Sequence, residues 1–363
     1  WLKNNRPEEY NKLSTILLPH DYVNFIMTGV KCMEHGDASG TGFLNIKERN
    51  WSVEILSALD PDRDLSVCLP PLVRHDHFIG KTSKQFSIDF DLPEGIPVSC
   101  GGGDNMMGAI GTGNVTDGKL TMSLGTSGTL YAYSSKPIID PKGAIAGFCS
   151  STDGWLPLLC TMNCTVATEL MRDLVGRSLD EFNNDLNSIP PGSGGLLTIP
   201  FFNGERTPNL PKGKASLIGL TSQNCTPAYV LRSAVEGATY ALRYGLDELT
   251  ALGLKVDKII LTGGGAKSPQ WRQIVADIFH LPVQILKIEE GASFGAALQA
   301  LWVLIREKDK NIKLDKIITD HLAVDEGKST LPNLECKDIY EKGYSDYQNC
   351  LLYTSPSPRD TRE

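Results

Sequence analysis

The chain has 363 residues, 41% of them hydrophobic, a formal net charge of −8 and a mean hydropathy of −0.15. Its length favours two domains with cores of their own. The acidic balance and the lack of basic stripes with aromatic stacking residues disfavour a general nucleic-acid-binding role. No apolar run reaches the about 20 residues that span a bilayer, and the first residues are too polar for a signal peptide. We therefore expect a cytoplasmic protein without nucleic-acid or membrane partners, whose nine scattered cysteines are reduced thiols.

The first hundred residues predict short elements joined by turns. A helix over 21–28 should end at Gly29, and 51–59 repeats apolar residues at helical spacing, whereas 86–90 alternates like a strand. Asp37 begins the sequence Asp-Ala-Ser-Gly, where it is either a ligand or a turn-forming residue.

A carboxylate follows a glycine run in the stretch 98–108. Ile96 and Val98 predict a buried strand, and the glycines at 101–103 allow the backbone to turn into a helix that starts at Asp104. Asp104 is then either the N-cap of that helix or a general base beside a site where anions approach backbone N–H groups. The stretch by itself leaves both interpretations open.

The next segments alternate strands and helices. Two alternating runs over 119–133, joined by Gly125-Thr126-Ser127-Gly128, predict a hairpin whose tip is either a phosphate cradle or an ordinary tight turn. A strand is expected over 155–159 and a helix over 167–175. In the loop 201–208, Glu205 and Arg206 are expected to pair with each other and with neighbouring loops.

The later part of the chain predicts a long helix and a second glycine corner. The helix should start at Thr226-Pro227 and stop at Gly253, and the strand over 258–262 runs into the glycines at 263–265. Such a corner allows a nucleotide to lie on bare backbone, although neither GxxxxGK[ST] nor GxGxxG is present. Ser268 and Pro269 should start the following helix, and 291–302 predicts a helix with a small-residue face for close packing.

Four motifs in this order resemble the FGGY family of carbohydrate kinases. They are GGGDN at 101–105, SLGTSG at 123–128, GERTP at 204–208 and GGGAKSPQWRQ at 263–273. The resemblance implies an α/β protein with two ribonuclease-H-like domains of the actin, hexokinase and Hsp70 type, the first of them incomplete. It implies a remainder of the N-terminal domain over 1–117 and a C-terminal nucleotide-binding domain over 118–349.

Within the family, the motifs are most similar to those of members that phosphorylate D-xylulose to D-xylulose 5-phosphate. The alternatives are another sugar or polyol of the family (ribulose, gluconate, fuculose or glycerol) and a non-catalytic nucleotide-binding module of the actin or Hsp70 type. The resemblance implies ATP, Mg²⁺ and a small sugar as binding partners, and it leaves a homodimer open.

The resemblance also assigns roles to individual residues. Asp104 would be the catalytic base and would contact the sugar together with Asn105, while Gly125, Thr126 and Ser127 would face the phosphates. Gly264, Gly265 and Ala266 would face the adenosine. No protein ligand of the metal is expected in this sequence, because the family's metal-binding Asp would lie upstream of Trp1.

Neither end of the chain resembles a natural terminus. The chain opens without Met in what resembles the end of a helix, so we expect the family's first strand and upstream sugar contacts to be missing and the chain as given to be inactive. The residues from Cys350 back-translate codon by codon into a sequencing adapter, so we expect 350–363 to be an artefact.

Overall fold

The computed structural model describes residues 1–288 and 291–354, with side chains described up to residue 351. The expected adapter-derived tail over 350–363 therefore lies mostly outside the described residues. Within them, Cys350 and Leu351 belong to the last helix, and Leu351 is buried.

The first part of the chain, residues 1–111, consists of short helices and three two-stranded sheets. Its helices are α1 Leu2–Asn5, α2 Pro7–Asn11, α3 Pro19–Thr28, α4 His35–Ala38, α5 Val53–Leu59, α6 Lys84–Phe90 and α7 Asp104–Gly111. Its strands are β1 Met33–Glu34, β2 Leu44–Asn45, β3 Asn50–Trp51, β4 Leu72–Val73, β5 Phe78–Lys81 and β6 Pro97–Ser99. Strands β1 and β4 pair in parallel, while β2 with β3 and β5 with β6 pair antiparallel.

Two sequence predictions for this part are wrong. The segment 86–90 belongs to helix α6, because the Ser83 side chain accepts from the N–H of Phe86 and the rings of Phe86 and Phe90, one helical turn apart, lie 4.5 Å apart. The strand β6 forms where a strand was expected, but it is not buried, and Ile96 before it is exposed. The predicted helix before Gly29 is confirmed, with Gly29 at φ 76° as its C-cap.

A five-stranded mixed sheet forms the centre of the second part of the chain, residues 118–354. Its strands, in spatial order, are β13 Val283–Gln284, β12 Val256–Thr262, β7 Gly118–Leu124, β8 Gly128–Tyr131 and β9 Leu158–Cys160. Strands β7, β8 and β9 form an antiparallel meander, and β12 is parallel to both β7 and β13. A separate antiparallel pair is formed by β10 Leu197–Ile199 and β11 Ser216–Ile218. The predicted hairpin over 119–133 is confirmed.

Helices pack around this sheet. They are α8 Thr165–Leu174, α9 Leu179–Ser188, α10 Pro227–Ala251, α11 Pro269–Phe279, α12 Gly291–Arg306, α13 Leu314–His321 and α14 Lys337–Thr354. The long α10 contributes Ala234, Ala238 and Leu242 to the main core. At the start of α11, Ser268 accepts from the N–H of Trp271 and Pro269 occupies the first turn, as predicted.

Helix α7, which begins at Asp104, crosses α12 at very short range. A Cβ atom on Gly295 would lie 1.8 Å from the carbonyl oxygen of Met107, and one on Gly111 would lie 1.8 Å from that of Gly291. The predicted small-residue face of 291–302 is therefore confirmed, and it anchors α7 on the second part of the chain.

The nine cysteines are free thiols, as predicted, and six of them are buried. Among the described residues, we find no helix with the length and apolar character needed to cross a membrane.

Candidate active site

Asp104 is the first residue of helix α7, and its side chain is exposed. Gly103 occupies the N-cap position, so the N-cap interpretation of Asp104 is wrong. The Asp104 Oδ1 atom accepts from the backbone N–H of Asn105 at 2.7 Å and from its side-chain Nδ2 at 3.1 Å. Within the described part of the chain, no cationic side chain forms an ion pair with Asp104. Its carboxylate is therefore held at one oxygen and open to an incoming group.

The loop before Asp104 is fixed by residues that are distant in sequence. Gly101, at φ 68°, donates its N–H to Oε1 of Gln299 at 3.0 Å and accepts from Nε2 of the same side chain at 3.1 Å. Asn24 donates to the carbonyl of Cys100 at 2.7 Å. The glutamine is fully buried on α12, so the backbone leading to Asp104 is held from both α3 and α12.

The glycines at 102 and 103 leave no room for side chains. A Cβ atom on Gly102 would lie 2.5 Å from Ser151 Oγ, and one on Gly103 would lie 2.9 Å from Asp37 Oδ1. The glycine run is therefore required by close packing beneath the loop.

A cluster of titratable side chains lies under this loop. The His20 ring lies between two carboxylates, with Nδ1 hydrogen-bonded to Asp37 and Nε2 at 3.2 Å from Asp21. Burial alone would lower the pKa of His20, but the hydrogen bond to Asp37 and the charge of Asp21 raise it overall. Burial raises the pKa of Asp21 to about 6 and that of Glu34 to about 7.

One possible metal-ligand atom from each of His20, Asp21 and Asp37 lies within 4.8 Å of the other two, as in a metal site. The raised pKa of His20 favours an imidazolium between the two carboxylates, which would balance much of their charge without a metal ion. The sequence left Asp37 as either a ligand or a turn-forming residue. In the structure, Asp37 lies in the short helix α4, and its carboxylate is hydrogen-bonded to His20.

The hairpin tip and Asp104 line the same cavity. The parallel register of β7 and β12 sets Ser123 beside Thr262, so the hairpin tip at 125–127 and the glycine corner at 263–265 lie next to each other. A cavity of about 440 Å³ is lined by Asp104, Asn105, Gly125, Thr126, Ser127, Thr262 and Gly263, among others. The sequence predicted these groups separately, and the fold brings them together.

The residues expected at the adenosine divide between two neighbouring cavities. Gly264 and Gly265 line one of about 200 Å³, together with Thr168 of α8 and Phe182 of α9. Ala266 lines a different one of about 490 Å³, in which Gly264 also takes part. Gly264 is thus the one of the three residues that faces both spaces.

The expected pairing of Glu205 is only partly correct. Its carboxylate is buried and accepts from the backbone N–H of Arg206, whereas the Arg206 side chain is exposed. Glu205 also accepts from Met162 and Asn163 in a neighbouring loop.

Two family models cover most of the chain. The FGGY family of carbohydrate kinases, N-terminal domain, matches residues 1–111, and the C-terminal domain of the same family matches residues 120–304. The chain is 43% identical over 347 residues to a xylulose kinase of Haemophilus influenzae, covering 96% of this chain and 69% of that protein. It is 37% identical over 314 residues to a xylulose kinase of Streptomyces rubiginosus, covering 85% of this chain and 61% of that protein.

A solved structure has the same fold. The xylulose kinase of Bifidobacterium adolescentis superposes with a TM-score of 0.78 at 29% identity, covering 94% of this chain and 70% of that one. The chain therefore spans about 60% to 70% of the length of these proteins. The α/β architecture is that of the two-domain actin/hexokinase-like ATPases, as the family resemblance implied. The chain belongs to the FGGY family of carbohydrate kinases.

Proposed function

We propose that the protein transfers the γ-phosphoryl group of ATP to the 5-hydroxyl of D-xylulose. The observation that carries this proposal is the single cavity that holds both the Asp104 carboxylate and the glycine-rich hairpin tip. The xylulose kinases among the relatives support the choice of sugar. Membership in a family of carbohydrate kinases disfavours the alternative of a nucleotide-binding module without sugar chemistry.

In the proposed reaction, Asp104 accepts the proton of the sugar hydroxyl. The sugar oxygen forms a bond to the γ-phosphorus while the bond from that phosphorus to the β–γ bridging oxygen breaks, and ADP leaves with the electron pair. Asp104 then releases the proton to solvent. The free second carboxylate oxygen suits this role, since a general base must reach the proton that it takes.

The remaining residues of the cavity are assigned to positioning. Asn105 would contact the sugar beside Asp104. Gly125, Thr126 and Ser127 would direct backbone N–H and hydroxyl groups at the phosphates, a use to which glycine-rich turns are suited. Gly264, Gly265 and Ala266 would lie on the adenosine side. Phosphoryl transfer depends chiefly on such positioning and on charge stabilisation.

The cavity fits a magnesium ion that arrives with the nucleotide. Among the described residues that line it, Asp104 is the one carboxylate. In kinases, Mg²⁺ is commonly bound through the substrate phosphates as well as one or two carboxylates, and since Asp104 is assigned as the base, the phosphates would hold the ion in this cavity. The ion would neutralise phosphate charge.

Three further expectations stay predictions: the cytoplasmic location, the upstream metal ligand and the homodimer.

The test is substrate selectivity in the full-length protein that carries this sequence. We expect ADP release to require a sugar, and kcat/KM for D-xylulose to exceed the values for D-ribulose, D-gluconate, L-fuculose and glycerol by at least about 10-fold, which corresponds to 1.4 kcal/mol. A coupled assay of ADP with each acceptor measures this. A higher kcat/KM for another acceptor would contradict the assignment of the sugar but leave the kinase chemistry standing.

A further inference from the structure

The carboxylate of Glu205 is buried, and its hydrogen-bond partners are all donors. Glu205 is 1% exposed. Its Oε1 atom accepts from the backbone N–H groups of Met162 at 2.6 Å and Arg206 at 2.8 Å, and Oε2 accepts from Asn163 Nδ2 at 3.0 Å. No cationic side chain of the described chain forms an ion pair with it. Hydrogen bonds from one loop and from its own backbone therefore hold this charge in place.

The residues that Glu205 holds belong to a segment that wraps the hairpin tip. This segment, 161–165, runs from the end of β9 to the start of α8. Cys164 and Thr165 donate their N–H groups to the carbonyls of Thr126 and Gly125 at 3.1 and 2.9 Å. Thr161 donates its N–H to the carbonyl of Gly128 at 2.8 Å. Met162 and Asn163, the contacts of Glu205, lie between these anchoring residues.

These bonds set the direction of the hairpin's own N–H groups. In a planar trans peptide, the N–H points opposite to the carbonyl of the preceding residue. Because the carbonyls of Gly125 and Thr126 point at segment 161–165, the N–H groups of Thr126 and Ser127 point away from it. Thr126 and Ser127 also line the cavity that contains Asp104.

We propose that Glu205 is a positioning residue for the nucleotide phosphates, which holds segment 161–165 and thereby fixes the Thr126 and Ser127 N–H groups toward them. The inference rests on the proposed function, which assigns the hairpin tip to the phosphates. It gives the GERTP motif at 204–208 a role that acts through the hairpin and not by contact with a substrate.

Glu205→Gln tests the proposal in the full-length protein. Whichever way the new amide is oriented, its NH₂ group faces a donor, so at least one charge-assisted hydrogen bond is lost. We expect the affinity for ATP to fall about 10-fold. The affinity for adenosine, which has no phosphates, should change by less than about twofold. Calorimetry with ATP and with adenosine gives the ratio of the two affinities, which a uniform loss of structure would not change.

Glu236→Gln is the matched control. Glu236 is also a buried glutamate, 2% exposed, and accepts from Ser193 and Gly192. It differs from Glu205 in that it lies on α10, pairs with Arg232 at 2.9 Å, and has no described hydrogen bond to segment 161–165 or to the hairpin tip. We expect its substitution to leave the ATP-to-adenosine ratio unchanged even if it lowers stability. Asn163→Ala is the second variant, which decides the matter if Glu205→Gln does not fold. It removes the side-chain donor to Glu205 and to the carbonyl of Gly204, and it leaves the backbone donors to Glu205 in place, so it should lower the ratio in the same direction, by a smaller factor.

The outcomes separate this inference from the proposed function. One outcome would overturn the inference and leave the kinase assignment intact. In it, the wild-type protein binds ATP, and the ratio of the ATP and adenosine affinities is unchanged in Glu205→Gln, or in Asn163→Ala if Glu205→Gln does not fold. A wild-type protein that does not bind ATP would overturn both. A phosphate-specific loss in a protein that turns over a sugar other than xylulose would support the inference and contradict only the choice of sugar.

Discussion

Asp104→Asn in the full-length protein is expected to lower kcat for xylulose-dependent ADP release by about 10²- to 10⁴-fold, the usual contribution of a positioned general base. The amide oxygen of the new side chain can still accept from the backbone N–H of Asn105, so the start of α7 should be preserved. ATP affinity should stay within about twofold of wild type, because the hairpin tip and the glycine corner are untouched. Steady-state kinetics and calorimetry measure the two quantities.

Asp89→Asn is the control for this substitution. Asp89 lies on α6, accepts from Gln85 at the surface, and lines none of the three cavities around Gly264 and the hairpin tip. Its kcat should equal that of wild type. If Asp104→Asn retained kcat within about threefold of wild type, Asp104 would not be the base, since a base supplies about 10²-fold or more.

Gly264→Val is expected to weaken ATP binding by at least about 10-fold with little loss of stability. A Cβ atom on Gly264 would have no heavy atom within 4 Å, and its φ lies outside the left-handed region. The added side chain would therefore extend into the space where the nucleotide is proposed to lie, without displacing the protein. Calorimetry measures the affinity, and urea unfolding measures the stability.

The adjacent glycine provides the opposite control. A Cβ atom on Gly265 would lie 2.9 Å from that of Leu124 and 3.0 Å from the Trp271 ring, so Gly265→Ala should lower the free energy of unfolding by about 1–3 kcal/mol. If Gly264→Val bound ATP as tightly as wild type while remaining folded, the nucleotide would not lie along this corner.

The features predicted best from the sequence are those with local signals. The hairpin around Gly125 and the helix start at Ser268 each depend on a few adjacent residues, and both form as expected. The same local logic failed at 86–90, where the apolar alternation resembles a strand. There the cap at Ser83 and the one-turn spacing of Phe86 and Phe90 favour the helix.

The supports of the candidate site could not be predicted in this way. Gln299 contacts Gly101 across 198 positions, and Asn24 contacts Cys100 across 76, so nothing near either residue indicates its partner. The buried carboxylate of Glu205 likewise reaches a loop more than 40 positions away. The motifs at 101–105 and 123–128 named the candidate residues, but only the tertiary packing shows that Asp104 and Thr126 line one cavity.

The position of the transferred phosphate tests the central proposal most directly. The full-length protein is incubated with D-xylulose and ATP, and the sugar product is analysed by phosphorus–proton correlated NMR. We predict a phosphate on carbon 5, one ADP per sugar phosphate, and a rate of product formation that falls with kcat in Asp104→Asn. A phosphate on another carbon, or ADP release that yields inorganic phosphate and no sugar phosphate, would contradict the account.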